Sequence, residues 1–197
     1  MGGRLLRGAL ARGHAVRALA RDPGKLVQQP GLDVVAGDVL DPDAVARVVA
    51  GCDAALTALG GGGVGDPGLA RSQGMKNVAN ALASAGISRV VALAGAGILD
   101  APTGGLRNEQ PGYPQVFARV AQEHMGTWTA LRESSLDWTV FCPPDIINSD
   151  ATGVYRLLED LLPEGPGREI AGGDLAAAML DAVERGTFSR RRVGIKI

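Results

Sequence analysis

Residues 89–94 read RVVALA, with no polar side chain after the first position. A strand with one wet face alternates apolar and polar residues, whereas an unbroken apolar run needs cover on both faces. That requirement points to a parallel sheet sandwiched between helices, and the rest of the chain supplies matching pieces. Residues 3–12 place Leu5, Leu6, Ala9 and Leu10 at helical spacing, and Gly13 reads as the stop. Residues 14–20 read as a strand, Asp22 as the cap of a short turn, and residues 32–36 as a second strand. Asp41 followed by Pro42 is an N-cap with proline at the first helical position, leading a helix to about residue 50.

The alternation continues. Residues 53–59 read as a strand running into glycines 60–63, and residues 68–85 as a long helix. After the strand at 89–94, a long irregular stretch extends to about residue 114. A helix over 115–134 and a strand over 136–142 follow. Short strands are expected within 152–158 and at Ile170, then a helix over 174–185 and a last strand over 192–197. Strands separated by helices predict an α/β fold, a doubly wound parallel sheet forming a single domain over residues 1–197. Ligands of such sheets bind beyond the carboxyl ends of the strands. The segment 97–114 exceeds a plain connector, and long loops in compact domains are often functional.

Composition narrows the function. The net charge is −1, against a dedicated nucleic-acid binder. The basic residues are 17 Arg and 3 Lys, scattered except for the run 190–192, which reads as a solvated turn. Gly reaches 29 residues without a repeat while hydrophobic residues hold 46%, so the chain is globular with close backbone approaches. Cys52 and Cys142 lie far apart and imply no disulfide framework, which fits a reducing cytoplasm. No apolar run is long enough to span a membrane, and no leader is expected. Two His and two Cys without ligand spacing give no zinc site.

Several short segments, taken in order, are similar to the NAD(P)H-binding family of atypical short-chain dehydrogenase-like, NmrA-like proteins, and most of all to its flavin and biliverdin reductases. They are Ala20-Arg21-Asp22, Ala36-Gly37-Asp38-Val39, Ala58-Leu59-Gly60 and Ser72-Gln73-Gly74-Met75-Lys76-Asn77. Glu123-His124, Leu131-Arg132-Glu133-Ser134, Cys142-Pro143-Pro144 and Gly173-Asp174-Leu175-Ala176 complete the set. The resemblance covers about residues 2–185 and implies a Rossmann-like sheet, an NADP(H) cofactor and a small-molecule acceptor. It departs at the start. Such proteins begin with a strand and a glycine turn, and here Met1 falls inside that turn, with Gly2 at its last glycine. The first strand is therefore expected to be missing from the centre of the sheet, where each orphaned buried amide costs about 1–3 kcal/mol. One expectation is that the start of the chain is placed too late; the other is a short protein with a damaged cofactor cradle.

The resemblance also implies site residues. Arg21 follows the second strand, where an arginine accommodates the 2′-phosphate of NADPH; a plain surface arginine is the other reading. Asp38 and Val39 would contact adenine, unless Asp38 is only a turn residue. Leu59 and Gly60 would lie where a strand passes the cofactor, and glycine there permits close approach. Ala94 and Gly95 stand where relatives carry hydroxyls beside the nicotinamide, so any serine-based role is lost. The Tyr-x-x-x-Lys pair of typical short-chain dehydrogenases is missing: Phe117 stands at that spacing from Tyr113, and Glu159 from Tyr155. His124 is the remaining candidate acid or base, or else a structural histidine, as His14 is expected to be. Cys142 and Pro143 would hold the carboxamide through their backbone, with the Cys142 side chain a small hydrophobe. The expected activity is hydride transfer from NADPH to a flavin, quinone or biliverdin-like acceptor. The alternative is an NADP(H)-binding regulator without turnover. An isomerase or epimerase is disfavoured by the missing Tyr and Lys.

Overall fold

The two faces of one strand decide the architecture. In β4 (Arg89–Leu93), Val90 and Ala92 point into one apolar cluster and Val91 into another, all three fully buried. In the computed structural model, which describes residues 1–197, β4 is flanked by β3 (Ala54–Thr57) and β5 (Asp137–Cys142). Next to β5 lies β9 (Arg191–Lys196), and these four strands run parallel. The edge strand β7 (Arg156–Glu159) pairs antiparallel to β9. On one face α2 (Pro42–Val49), α3 (Ser72–Ser84) and α4 (Ala118–Arg132) contribute Val45, Met75, Leu82 and Leu131 against Trp138 and Val140. On the other, α1 (Gly2–Ala11) and α5 (Gly172–Arg185) bring Leu5, Leu175 and Met179 onto Phe141, Val193 and Ile195. Gly8 permits the α1–α5 approach, because a Cβ there would meet Leu180 Cδ1 at 2.6 Å.

The remaining parallel pair, β1 (Val16–Ala20) with β2 (Leu32–Ala36), forms a sheet of its own. No ladder joins β1 to β3, as expected for a doubly wound sheet without its central strand. Burial records the gap: Ala54, Ala55 and Leu56 of β3 are only half-buried, whereas Val90–Ala92 of β4 are sealed. Helix packing holds the two halves together, with Leu19 joining the α2–α3 side and Val16 the α1–α5 side.

Two local signals act in the structure as their residue types predict. The Asp41 carboxylate accepts from the Asp43 N–H at 3.0 Å, and Gly13 ends α1 at φ +85°. Several expectations need correction. Asp22 makes no side-chain cap and instead pairs with Lys25 at 3.4 Å. Residues 68–71 are not helical, and residues 115–117 form a 3₁₀ turn before α4, so both helices start later than their apolar patterns. Two three-residue strands, β6 (Asp145–Ile147) and β8 (Glu169–Ala171), pair in parallel; β6 was not anticipated. The 190–192 run is a solvated turn only in part: Arg190 lies in an exposed turn and Arg191 is exposed, but the last arginine is not. Arg192 is buried in β9, bonded to Asp100 at 2.7 Å and Asp160 at 3.1 Å, while its guanidinium stacks 4.2 Å from the Trp128 ring centre. Because Asp100 lies in the long 95–114 segment, Arg192 pins that segment to the sheet. No helix is long and apolar enough to cross a membrane.

Candidate active site

Parallel strands bring two groups of candidate residues to the same end of the fold. Register sets Ala20 of β1 beside Ala36 of β2, so Arg21 and Asp38 follow at one edge, and the Gly37 N–H donates to the Ala20 carbonyl at 3.1 Å. Arg21 is exposed and has no acid within ion-pair distance. Asp38 has one oxygen engaged by the Leu40 N–H at 2.9 Å, an Asx turn. Val39 packs on α3, where Gly74 makes room for it, and its carbonyl accepts from Asn77 Nδ2 at 2.9 Å. Gly2 opens α1, with space around it and no acidic residue in the first helical turn. Free N–H groups at a helix start suit an anion.

The second group sits past β3, β4 and β5. Leu59 and Gly60 follow β3, Ala94 and Gly95 follow β4, and Pro143 follows Cys142 at the end of β5. The β4 and β5 exits are zipped together: the Ala94 N–H donates to the Phe141 carbonyl at 2.8 Å and the Ala96 N–H to the Pro143 carbonyl at 2.9 Å. One lone pair of Pro143 is thus already used. Cys142 is fully buried, and that burial pushes its thiol far above the ordinary range, so it behaves as an inert apolar side chain.

Gly95 and His124 meet directly. A Cβ at Gly95 would lie 2.9 Å from His124 Cδ2 and 3.0 Å from Nε2, so glycine is what lets the ring reach the backbone. His124 is placed by its neighbour. The Glu123 carboxylate accepts from the Ser72 N–H at 3.1 Å and from Ser72 Oγ at 2.8 Å, stapling α4 onto the start of α3. Gly126 allows the approach, since a side chain there would collide with Ser72. Burial, and secondarily the Arg71 charge, lowers the His124 pKa to about 4. The imidazole is therefore uncharged at neutral pH, and its buried Nδ1 has no partner. Thr57 at the end of β3 likewise buries an unpartnered Oγ1.

Other residues at this end were missed because no spacing announces them. Arg71, just before α3, is half-buried with Nη2 3.4 Å from the Cβ position of Gly60. The Tyr113 hydroxyl, folded back by the long loop, lies 2.7 Å from the Cβ position of Gly97. Burial raises its pKa and so suppresses ionisation, with the Arg107 charge partly opposing that shift. Beside it Asn108 buries an unpartnered Oδ1. By contrast His14 lies just outside β1 and bonds Glu184 at 2.8 Å on the α5 side. These features fit a nucleotide cofactor along the strand ends: a free helix start, glycines where a ligand passes, and polar atoms awaiting partners.

The NAD(P)H-binding family profile matches residues 1–185. An exported-class protein of Burkholderia pseudomallei is similar over 100% of this chain and 94% of its own, at 29% identity and a TM-score of 0.83. A Streptococcus pneumoniae protein assigned as an NADH-flavin reductase shares the fold at 24% identity and TM-score 0.83, over 98% of this chain and 92% of its own. ChuY, an anaerobillin reductase of Escherichia coli O157:H7, does so at 23% identity and TM-score 0.81, over 98% and 90%. Among curated relatives, a 3-beta-hydroxysteroid dehydrogenase of Mycolicibacterium neoaurum is 35% identical over 102 residues. That match takes in 46% of this chain and only 28% of the relative.

Proposed function

Because this chain belongs to the NAD(P)H-binding family, we propose that it is an NADPH-dependent reductase passing hydride to a flat conjugated acceptor, a flavin, quinone or biliverdin-like molecule. The observation that carries this reading is the β4 exit, where Ala94 and Gly95 offer no hydroxyl and the His124 beside them is neutral. Such a site lacks the charged or activated acid that carbonyl reduction demands. It suits acceptors that take hydride with little proton help from protein. The nicotinamide, when bound, supplies the hydride. The protein binds, orients and keeps water out.

In this reading the exposed, unpaired Arg21 takes the 2′-phosphate, and its planar fork suits that group. Asp38 and Val39 flank the adenine, and the α1 start at Gly2 faces the pyrophosphate. Leu59 and Gly60 give the backbone close access to the ribose. Gly95, Cys142 and Pro143 line the carboxamide end. His124 holds a neutral ring over Gly95, where its free Nδ1 offers one hydrogen bond. The similarity of fold to a flavin reductase and to ChuY supports the acceptor class.

The test is steady-state oxidation of NADPH with flavin mononucleotide, dichlorophenolindophenol or biliverdin as acceptor. Turnover with any of them is the expected result. Tight NADP(H) binding with no turnover by all three would overturn the enzymatic reading and leave a binding regulator.

A further inference from the structure

We propose that Arg71 selects the acceptor, favouring one that carries a phosphate or carboxylate set beside Gly60 and His124. This rests on the reductase reading. Arg71 is half-buried and has no carboxylate within 4.0 Å; its one protein bond is a long 3.4 Å contact from Nη1 to the Pro67 carbonyl. The two most deeply buried arginines of the fold are matched. Arg89 meets Asp137 at 3.3 Å and two further carbonyls at 2.8 Å, and Arg192 meets Asp100 and Asp160. Glu123, on the helix facing Arg71, is spent on Ser72 and leaves the guanidinium uncompensated. Holding a partly desolvated cation without a counter-ion is costly, and an anionic ligand removes that cost.

The surroundings are shaped for such a ligand. Gly60 presents bare backbone next to the guanidinium, with no side chain of its own between them. Arg71 is close enough to His124 to contribute to keeping that ring uncharged. The same positive field would favour an anion at the acceptor end. A guanidinium fork binds phosphate or carboxylate through two parallel bonds. The phosphate of flavin mononucleotide and the propionates of a linear tetrapyrrole are the two sources of that chemistry.

The experiment compares charged acceptors with neutral twins, in wild type, Arg71→Gln and Arg71→Lys. The pairs are flavin mononucleotide with riboflavin, and biliverdin with its dimethyl ester. Binding is read by fluorescence or absorbance titration in the presence of NADP+, turnover by NADPH oxidation, and NADPH affinity by calorimetry. Expected in Arg71→Gln, for the charged member of at least one pair, is an affinity about tenfold or more lower and a KM raised to match. Its neutral twin and NADPH should stay within about twofold, and Arg71→Lys should recover part of the loss. The pair that responds identifies phosphate or carboxylate. Equal loss for charged and neutral twins overturns the proposal. So does a tenfold loss of NADPH affinity with the twin ratio unchanged, which would assign Arg71 to the cofactor. If wild type turns over no acceptor the reductase reading fails, while the titration ratios still judge Arg71. Wild type binding both members of each pair equally also overturns the proposal.

Discussion

His124 shows how one residue's surroundings set what it can do. A histidine on a helix seen only in sequence is a proton carrier with a pKa near neutrality. Buried against Gly95 and near Arg71, it is lowered from 6.5 to about 4. Below the unfolded value the unfolded chain takes up a proton that the folded chain refuses. Stability is therefore lost as pH falls from about 6.5 to about 4 and levels off below, by on the order of 3 kcal/mol. Urea midpoints measured across that range should drop more steeply in wild type than in His124→Asn, whose other titrating groups are the same. Parallel curves would mean that the ring is solvated and protonates freely. The sequence marked His124 by its place in a family pattern, but the glycine that admits the ring and the Glu123–Ser72 staple that aims it lie at long range. Only the residue types were legible, not the contact.

Elements are legible in the sequence where their pattern is long. The apolar runs of β4 and β5 and the capped start of α2 stand in the structure close to where periodicity put them. Three-residue strands such as β6 carry no measurable period, and proximity to β8 alone makes them strands. The Arg190–Arg192 run misled for a different reason: charge runs are usually wet, but a strand alternates its faces. Arg191 points outward and Arg192 inward to Asp100, Asp160 and the Trp128 ring. Arg192→Met should then cost about 3 kcal/mol, because both acids lose an enclosed partner. Arg191→Met should cost less than about 1 kcal/mol, since its pairs with Glu159 and Asp160 are exposed. Chemical denaturation of both variants checks the contrast, and limited proteolysis should cut the 95–114 segment first in Arg192→Met. Equal stability losses would show that Arg192 does not hold the 95–114 segment.

At the scale of the molecule, the sheet is divided between the β1–β2 pair and the β3–β4–β5–β9 group, and the candidate cofactor residues lie on both. Arg21 and Asp38 belong to the smaller part, Gly60, Gly95 and Pro143 to the larger. A dinucleotide lying across them would tie together halves that share helix packing but no ladder. Ligand that binds only the folded chain stabilises it by RT ln(1 + [L]/Kd), so melting reports the tie directly. If the exposed, unpaired Arg21 takes the 2′-phosphate as proposed, NADPH should raise the melting temperature of wild type more than NADH does at equal concentration, because only NADPH carries that group. A charge-assisted bond of about 1.5–3 kcal/mol corresponds to at least tenfold in affinity. Arg21→Glu should remove the NADPH advantage and leave the NADH shift nearly intact. Because Arg21 is exposed, the apo variant should melt close to wild type, so the loss can be read as binding alone. Equal weakening of both shifts would place Arg21 outside the phosphate site. An NADPH advantage that survives Arg21→Glu would mean that another cation meets the 2′-phosphate.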